Sequence, residues 1–226
     1  MKKKYLIFDA YGTLLDFNSP LKKYFELEPN HIEKEKWIEV NKLWREKQIS
    51  YTWLSNITNI YDDFFTITKN SLQYALESEG LKLDAKTVER LLNFYFEIDT
   101  FPEVKEILSN LKKEKYEVAI LSNGTNEMLK KAIKNAEIAN YIDHIISVDD
   151  IKIYKPDPKV YKFACQKLNC SIKEILFLSS NSWDIYGALN YGFQTVWINR
   201  NLSIFDKLPK KPINVVSNLK NISNFL

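Results

Sequence analysis

A single carboxylate stands where an apolar run stops: Tyr5-Leu6-Ile7-Phe8 leads into Asp9, and Ala10-Tyr11-Gly12-Thr13 follows. Such a run of β-formers reads as a buried strand, which places Asp9 at its carboxyl end, the edge where open α/β sheets bind ligands. An Asp is ionised at neutral pH and needs no base to act as a nucleophile. The residue two further on is Tyr11, not a second acid, so this turn offers neither a proton donor of useful pKa nor a second metal ligand. Three later clusters share the polar character: Ser122-Asn123-Gly124, Lys155-Pro156-Asp157-Pro158 and Ser179-Ser180-Asn181-Ser182-Trp183-Asp184. Singly, each has a plain structural reading. Ser122 and Asn123 suit a turn, Asp157 suits a helix cap ahead of Pro158, and Asp184 suits a first helical turn. Together, on one edge of a parallel sheet, Asp9, Ser122, Lys155 and Asp184 are expected to converge, with the Lys155 ammonium keeping Asp9 deprotonated.

The elements that must position them follow from periodicity. Helical spacing dominates from Phe17 to about Thr100, as in Ile32, Trp37, Val40, Leu43, Trp44 and then Trp53, Leu54, Ile57, Ile60, Tyr61, Phe64. Further helices are expected over Ser71 to Ser78 and Ala85 to Ile98. After Pro102, helix and strand alternate. The helices are 103–113, 126–136, 158–168 and 183–191; the strands are 116–121, 144–148, 175–178 and 195–198. Alternation of this kind means βα units and a Rossmann-like parallel sheet. The opening strand has no partner in the helical stretch and joins the later sheet. The expected fold class is therefore α/β, with core residues 1–16 and 101–226 and an all-helical insertion at 17–100.

Composition narrows the function classes. The chain has 226 residues, 45% hydrophobic, enough for two packed units. A net charge of +3 with interspersed signs argues against a nucleic-acid partner, and Lys2-Lys3-Lys4 reads as a solvated terminus. Asp9 cuts the first apolar run, which excludes a signal peptide or a membrane span there. Cys165 and Cys170 fall in a helical pattern on different faces, read as free thiols of a cytoplasmic protein and not as zinc ligands. The two histidines, His31 and His144, lie outside these clusters, so a Ser-His-Asp triad is not expected. Dinucleotide and Walker-type glycine loops are absent from the sequence.

Asp9-Ala10-Tyr11-Gly12-Thr13, Ser122-Asn123-Gly124, Lys155-Pro156-Asp157 and Ser179 to Asp184 resemble the four motifs of the haloacid dehalogenase superfamily. Tyr11, the segments Leu43 to Gln48 and Tyr51 to Leu54, Tyr154 with Tyr161, and Trp197-Ile198-Asn199-Arg200 make the chain similar to the L-2-haloacid dehalogenase branch. The resemblance implies a helical cap over the sheet edge and hydrolysis of L-2-haloalkanoic acids to D-2-hydroxy acids. The Asp9 carboxylate would displace halide, and water would open the resulting ester. It also implies roles. Arg45 and Asn123 receive the halide, Ser122 and backbone N–H groups around Ala10 and Tyr11 hold the substrate carboxylate, and Asp184 with Lys155 orients or activates water. Thr13, Tyr161, Ser179 and Asn181 surround the nucleophile, while Tyr11, Trp183 and Phe64 form apolar walls. No metal or cofactor is implied, and a homodimer is.

Physical chemistry agrees with the assignment. Nucleophile and substrate are both carboxylates, and two such charges about 4 Å apart repel by roughly 4 kcal/mol at an effective dielectric near 20, so cations must offset the cost. Chloride and bromide leave without a proton, whereas a phosphatase of the same fold needs a second acid and magnesium. Tyr11 stands where that acid would be. A catalytically silent binding relative is the third reading, although no motif residue is lost. For Arg45 the plain alternative is a surface ion pair, for Tyr161 helix packing, and for Phe64 the core. One departure stands out: Glu46 replaces the Gln common beside Arg45, and would either weaken anion binding or pair outward with Lys42 or Lys47.

Overall fold

A computed structural model describes residues 4–27 and 34–226. His31 and Ile32, like Lys2 and Lys3, lie outside the described residues. Six parallel strands form one sheet: β1 (Tyr5–Phe8), β2 (Glu117–Ser122), β3 (His144–Ser147), β4 (Ile175–Ser179), β5 (Gln194–Ile198) and β6 (Asn214–Val216). Their spatial order is β3-β2-β1-β4-β5-β6. β1 is central, paired with β2 (Ile7 opposite Ala119) and with β4 (Ile7 opposite Phe177). All four of its residues are buried, as a strand covered on both faces requires. The order reverses beside β1, and a ligand crevice is expected at that switch point.

Helices α5 (Val104–Lys113), α6 (Asn126–Asn135), α7 (Pro158–Leu168) and α8 (Ser182–Tyr191) alternate with the strands. α5 packs on β2, α6 on β3, and α8 on β4 and β5. α7 starts as expected, with Asp157 capping and Pro158 at its first turn, but ends at Asn169 in the left-handed region. Cys170 therefore lies beyond the helix, a correction to its expected place on one helix with Cys165; both thiols are free. β6 was not expected. It has three residues on the sheet edge, too few to show a period.

Among the described residues, four helices separate β1 from α5: α1 (Ser19–Leu27), α2 (Lys34–Thr58), α3 (Phe64–Ser78) and α4 (Ala85–Asn93). Trp37, Val40, Trp44, Leu72, Ala75 and Leu91 are buried among them. Asn59, at positive φ, ends the reach of α2, and the Asp63 side chain caps α3 by accepting from the N–H groups of Phe65 and Thr66. α4 stops at Asn93, short of the expected Ile98. At the far end of α2 and just past it, Leu54, Ile57 and Ile60 are 53%, 76% and 68% exposed.

The chain leaves and re-enters the sheet domain side by side. Leu15 and Thr100 form an antiparallel bridge, flanked by Asp16 N–H to Asp99 C=O at 2.8 Å and Phe101 N–H to Leu14 C=O at 3.1 Å. A second clasp lies far from this hinge. The Asn56 amide donates to Tyr154 C=O at 2.7 Å and accepts from Tyr154 N–H at 2.8 Å, while the Tyr154 hydroxyl donates to Asp62 C=O at 2.6 Å. The Tyr61 ring stacks on Tyr154, and its hydroxyl donates to Asp149.

Candidate active site

β1 delivers Asp9 to the switch point, and the loop after it folds back at once. The Ala10 carbonyl accepts from the N–H groups of Thr13, Leu14 and Leu15. Gly12 sits at φ +87, and a Cβ there would meet Ser180 Oγ at 3.0 Å, so both conformation and space call for glycine. The Thr13 hydroxyl accordingly lands on Asp9 Oδ2 at 2.9 Å while accepting from Ser180 N–H at 2.8 Å. Asn181 Nδ2 donates to the same Asp9 oxygen at 2.9 Å. Ser179 Oγ accepts from Asn181 N–H and so shapes the loop after β4.

Lys155, with no exposure, joins two acids: Nζ lies 2.7 Å from Asp9 Oδ1 and 2.7 Å from Asp184 Oδ2, and also donates to Leu121 C=O at 3.0 Å. Burial opposes its charge, but Asp184 and Asp9 outweigh that and raise its pKa, so it stays an ammonium. Burial pushes the Asp184 carboxyl up, to about 6, against the pull of Lys155. Its other oxygen accepts from the Tyr161 hydroxyl at 2.8 Å, and burial followed by Asp184 holds that phenol well above its usual range. Gly187 makes this contact possible: a Cβ would come within 2.4 Å of Tyr161 Oη and 2.6 Å of Pro156 Cβ. Lys155 thus takes the position between two carboxylates that a cation would occupy. Among the described residues no group of three or more His, Cys, Asp or Glu side chains forms a metal site.

Asp9 and Lys155 line a cavity of about 10 Å³ together with Ser122, Asn123, Asn181 and the rings of Tyr11, Phe64 and Trp183. Asn123 Oδ1 accepts from Lys155 N–H at 2.9 Å, which leaves its amide nitrogen as the donor for a ligand. Burial raises the Tyr11 phenol, keeping it neutral. From α2 come Arg45, Ile49 and Thr52. Arg45 donates to Gln48 Oε1 at 2.7 Å and, more weakly, to Asn181 Oδ1 at 3.4 Å. Glu46 is exposed and lines no part of the cavity. A wider cleft of about 230 Å³ adjoins and shares Arg45, Ile49, Asn181 and Trp183.

Thr13, Ser179, Tyr161 and Asp184 are not on the cavity wall but stand behind it, and Ala10 contributes backbone to the loop. Sequence reasoning missed the support layer. Gln48 is fully buried against Arg45. Arg200 bridges Glu103 at 2.7 Å and Thr13 C=O at 2.8 Å. Gln48 ends the segment Leu43 to Gln48 and Arg200 ends Trp197 to Arg200, but nothing in those segments marks them as buried.

The parallel sheet, the buried Asp–Lys–Asp triplet at its switch point and the arginine supplied by α2 make up one site. The chain belongs to the haloacid dehalogenase-like hydrolases, whose sequence model matches residues 3–192. It is 44% identical to (S)-2-haloacid dehalogenase 1 of a Pseudomonas species, over 86% of this chain and 83% of the relative. With the (S)-2-haloacid dehalogenase of Pseudomonas fluorescens it shares 37% identity over 97% and 95% of the two chains. The L-2-haloacid dehalogenase of Xanthobacter autotrophicus with chloropropionic acid covalently bound superimposes with a TM-score of 0.87 at 28% identity, covering 99% and 98%.

Proposed function

We propose that the protein hydrolyses L-2-haloalkanoic acids to D-2-hydroxy acids through an ester on Asp9. The observation that carries this is the Asp9–Lys155–Asp184 triplet beneath Arg45, in a chain closely similar to (S)-2-haloacid dehalogenases. Residues 17–100 act as the cap unit.

Asp9 attacks C2 from the rear and inverts it. Thr13, Asn181 and Lys155 hold its two oxygens in place, so little reorganisation precedes attack. The halide departs toward Arg45 and the free amide nitrogen of Asn123, and needs no proton. Ser122 and the backbone at Ala10 and Tyr11 bind the substrate carboxylate, with Tyr11, Phe64 and Trp183 around the carbon chain. Once the ester forms, Asp9 has lost its charge and Asp184 is left as the carboxylate partner of Lys155. Asp184 takes a proton from the attacking water, and the new bond forms at the Asp9 carbonyl carbon. The acyl C–O bond to the product breaks, and the product oxygen takes that proton back; Asp9 is restored as a carboxylate and C2 is untouched.

The substrate is a small 2-haloacid, with no metal or cofactor in the scheme. We place the protein in the cytoplasm on its two free thiols. No helix among the described residues is long and apolar enough to cross a membrane. The exposed Leu54, Ile57 and Ile60 support a homodimer through the end of α2. A single turnover of 2-chloropropionate in oxygen-labelled water tests the scheme: label enters Asp9 first, and label found only in the product overturns the ester. Run with chelator, the same assay releases halide, while metal-dependent phosphate release from a phosphomonoester with no halide would favour a phosphatase.

A further inference from the structure

We propose that Gln48 is the positioning residue of the halide site, fixing the Arg45 guanidinium without neutralising it. The inference rests on Arg45 as the cation that receives the halide. A directional relay carries it. The Phe64 carbonyl can only accept, and the Thr68 hydroxyl donates to it at 2.6 Å. With its one proton spent, Thr68 Oγ1 must accept, and Gln48 Nε2 donates to it at 2.7 Å. The Gln48 oxygen is therefore turned to Arg45 Nη1, at 2.7 Å. Gln48 and Thr68 have no exposure, and Trp44 Nε1 donates to the Thr68 carbonyl at 2.8 Å, pinning the relay to α3.

Every partner of Arg45 in this arrangement is neutral: the Gln48 amide, the Asn181 amide at 3.4 Å and the face of Phe17 at 5.3 Å. Among the described residues no carboxylate pairs with it. A guanidinium already paired with a carboxylate would have little attraction left for an incoming anion, whereas an amide orients the fork and leaves the charge intact. The groups facing Gln48 agree. Arg45 shares its helix, Thr68 on α3 does not titrate, and Tyr95 beyond α4 abuts it with a phenol that burial keeps neutral. Tyr11, on the core loop, is likewise neutral beside Tyr95, and Asp9 and Lys155 pair with each other at 2.7 Å.

Gln48→Glu is the discriminating variant because its protonated form alone reproduces the relay, with O–H to Thr68 and C=O to Arg45. At neutral pH, bromide binding to the resting protein, read by bromide NMR line broadening, should weaken roughly 10- to 100-fold. kcat/KM for 2-bromopropionate should fall by a similar factor. Relative to wild type measured at each pH, both should recover as acid protonates the new carboxyl. Thr68→Val removes the hydroxyl that accepts from Gln48 and donates to the Phe64 carbonyl, adds no charge, and should weaken bromide binding by a smaller factor that does not vary with pH. Wild-type bromide affinity in Gln48→Glu at neutral pH, or a deficit relative to wild type that stays constant with pH, overturns the proposal. A wild-type protein that binds bromide with this dependence on residue 48, yet releases no halide from haloacids, overturns the substrate reading and leaves this one standing.

Discussion

Replacing Lys155 by Met removes the ammonium between two buried carboxylates and keeps a side chain of similar length. Each carboxylate oxygen lies 2.7 Å from Nζ, so the two stand at most about 5.4 Å apart. Unit charges at that separation repel by about 3 kcal/mol at an effective dielectric near 20. Burial, and with it that repulsion, already holds Asp184 at about 6, against the pull of Lys155. With that pull removed the Asp184 carboxyl rises further, so in the variant the pair holds one proton at neutral pH. Half of the nucleophile's charge is then shared, and the substrate carboxylate approaches with one cation fewer. Ester formation should slow at least about 10³-fold, read as single-turnover bromide release by rapid quench. Infrared difference spectra should show a protonated carboxyl band at neutral pH that wild type lacks. Loss of one partner from a buried pair costs about 3–5 kcal/mol, in part offset by the proton taken up, so circular dichroism accompanies the kinetics. A folded variant that takes up no proton and reacts within tenfold of wild type would refute the charge argument.

Asp184→Asn should form the ester and fail to hydrolyse it, so that intact-protein mass spectrometry finds the adduct after 2-bromopropionate; full turnover would remove Asp184 from the second step. Because burial raises Asp184 to about 6 and its ionised form is the working one, wild-type turnover should fall as pH drops through about 6, tenfold per unit well below it. Gly187→Ala drives a methyl to within 2.4 Å of the Tyr161 hydroxyl and should destabilise by about 1–3 kcal/mol, seen as a lowered melting temperature; an unchanged melt would mean α8 shifts freely. Arg200→Lys keeps charge but loses the fork that joins Glu103 to Thr13 C=O. It should lower both the melting temperature and the rate of ester formation, and an unaffected rate would separate Arg200 from the Thr13 hydroxyl on Asp9.

The strands that carry the site were legible because each is an apolar run cut off by a polar residue. Phe8-Asp9, Leu121-Ser122 and Leu178-Ser179 mark ends of β1, β2 and β4 to within a residue. The edge strand β6 has no such contrast. In the helical stretch the 3.6 period found the helices but not their boundaries or what covers them. Trp53, Leu54, Ile57 and Ile60 repeat at helical spacing like a core stripe, yet all four are exposed. Asn169 in the left-handed region, which parts Cys165 from Cys170, is a backbone choice that an Asn only permits. Asp9, Lys155 and Asp184 could be grouped from topology alone, since parallel strands bring their ends to one edge. Their order in depth could not. That Asp184 stands behind Lys155, and that Gln48 is buried behind Arg45, depends on side-chain packing across elements far apart in sequence.

The cavity over Asp9, at about 10 Å³, has room for about one water. A haloacid is larger than that, and the wider cleft that shares Arg45, Ile49, Asn181 and Trp183 is the way in that the geometry offers. The same shared wall is the approach for the attacking water, so a substitution that narrows it at Ile49 should slow ester hydrolysis as well as substrate entry, read by rapid quench.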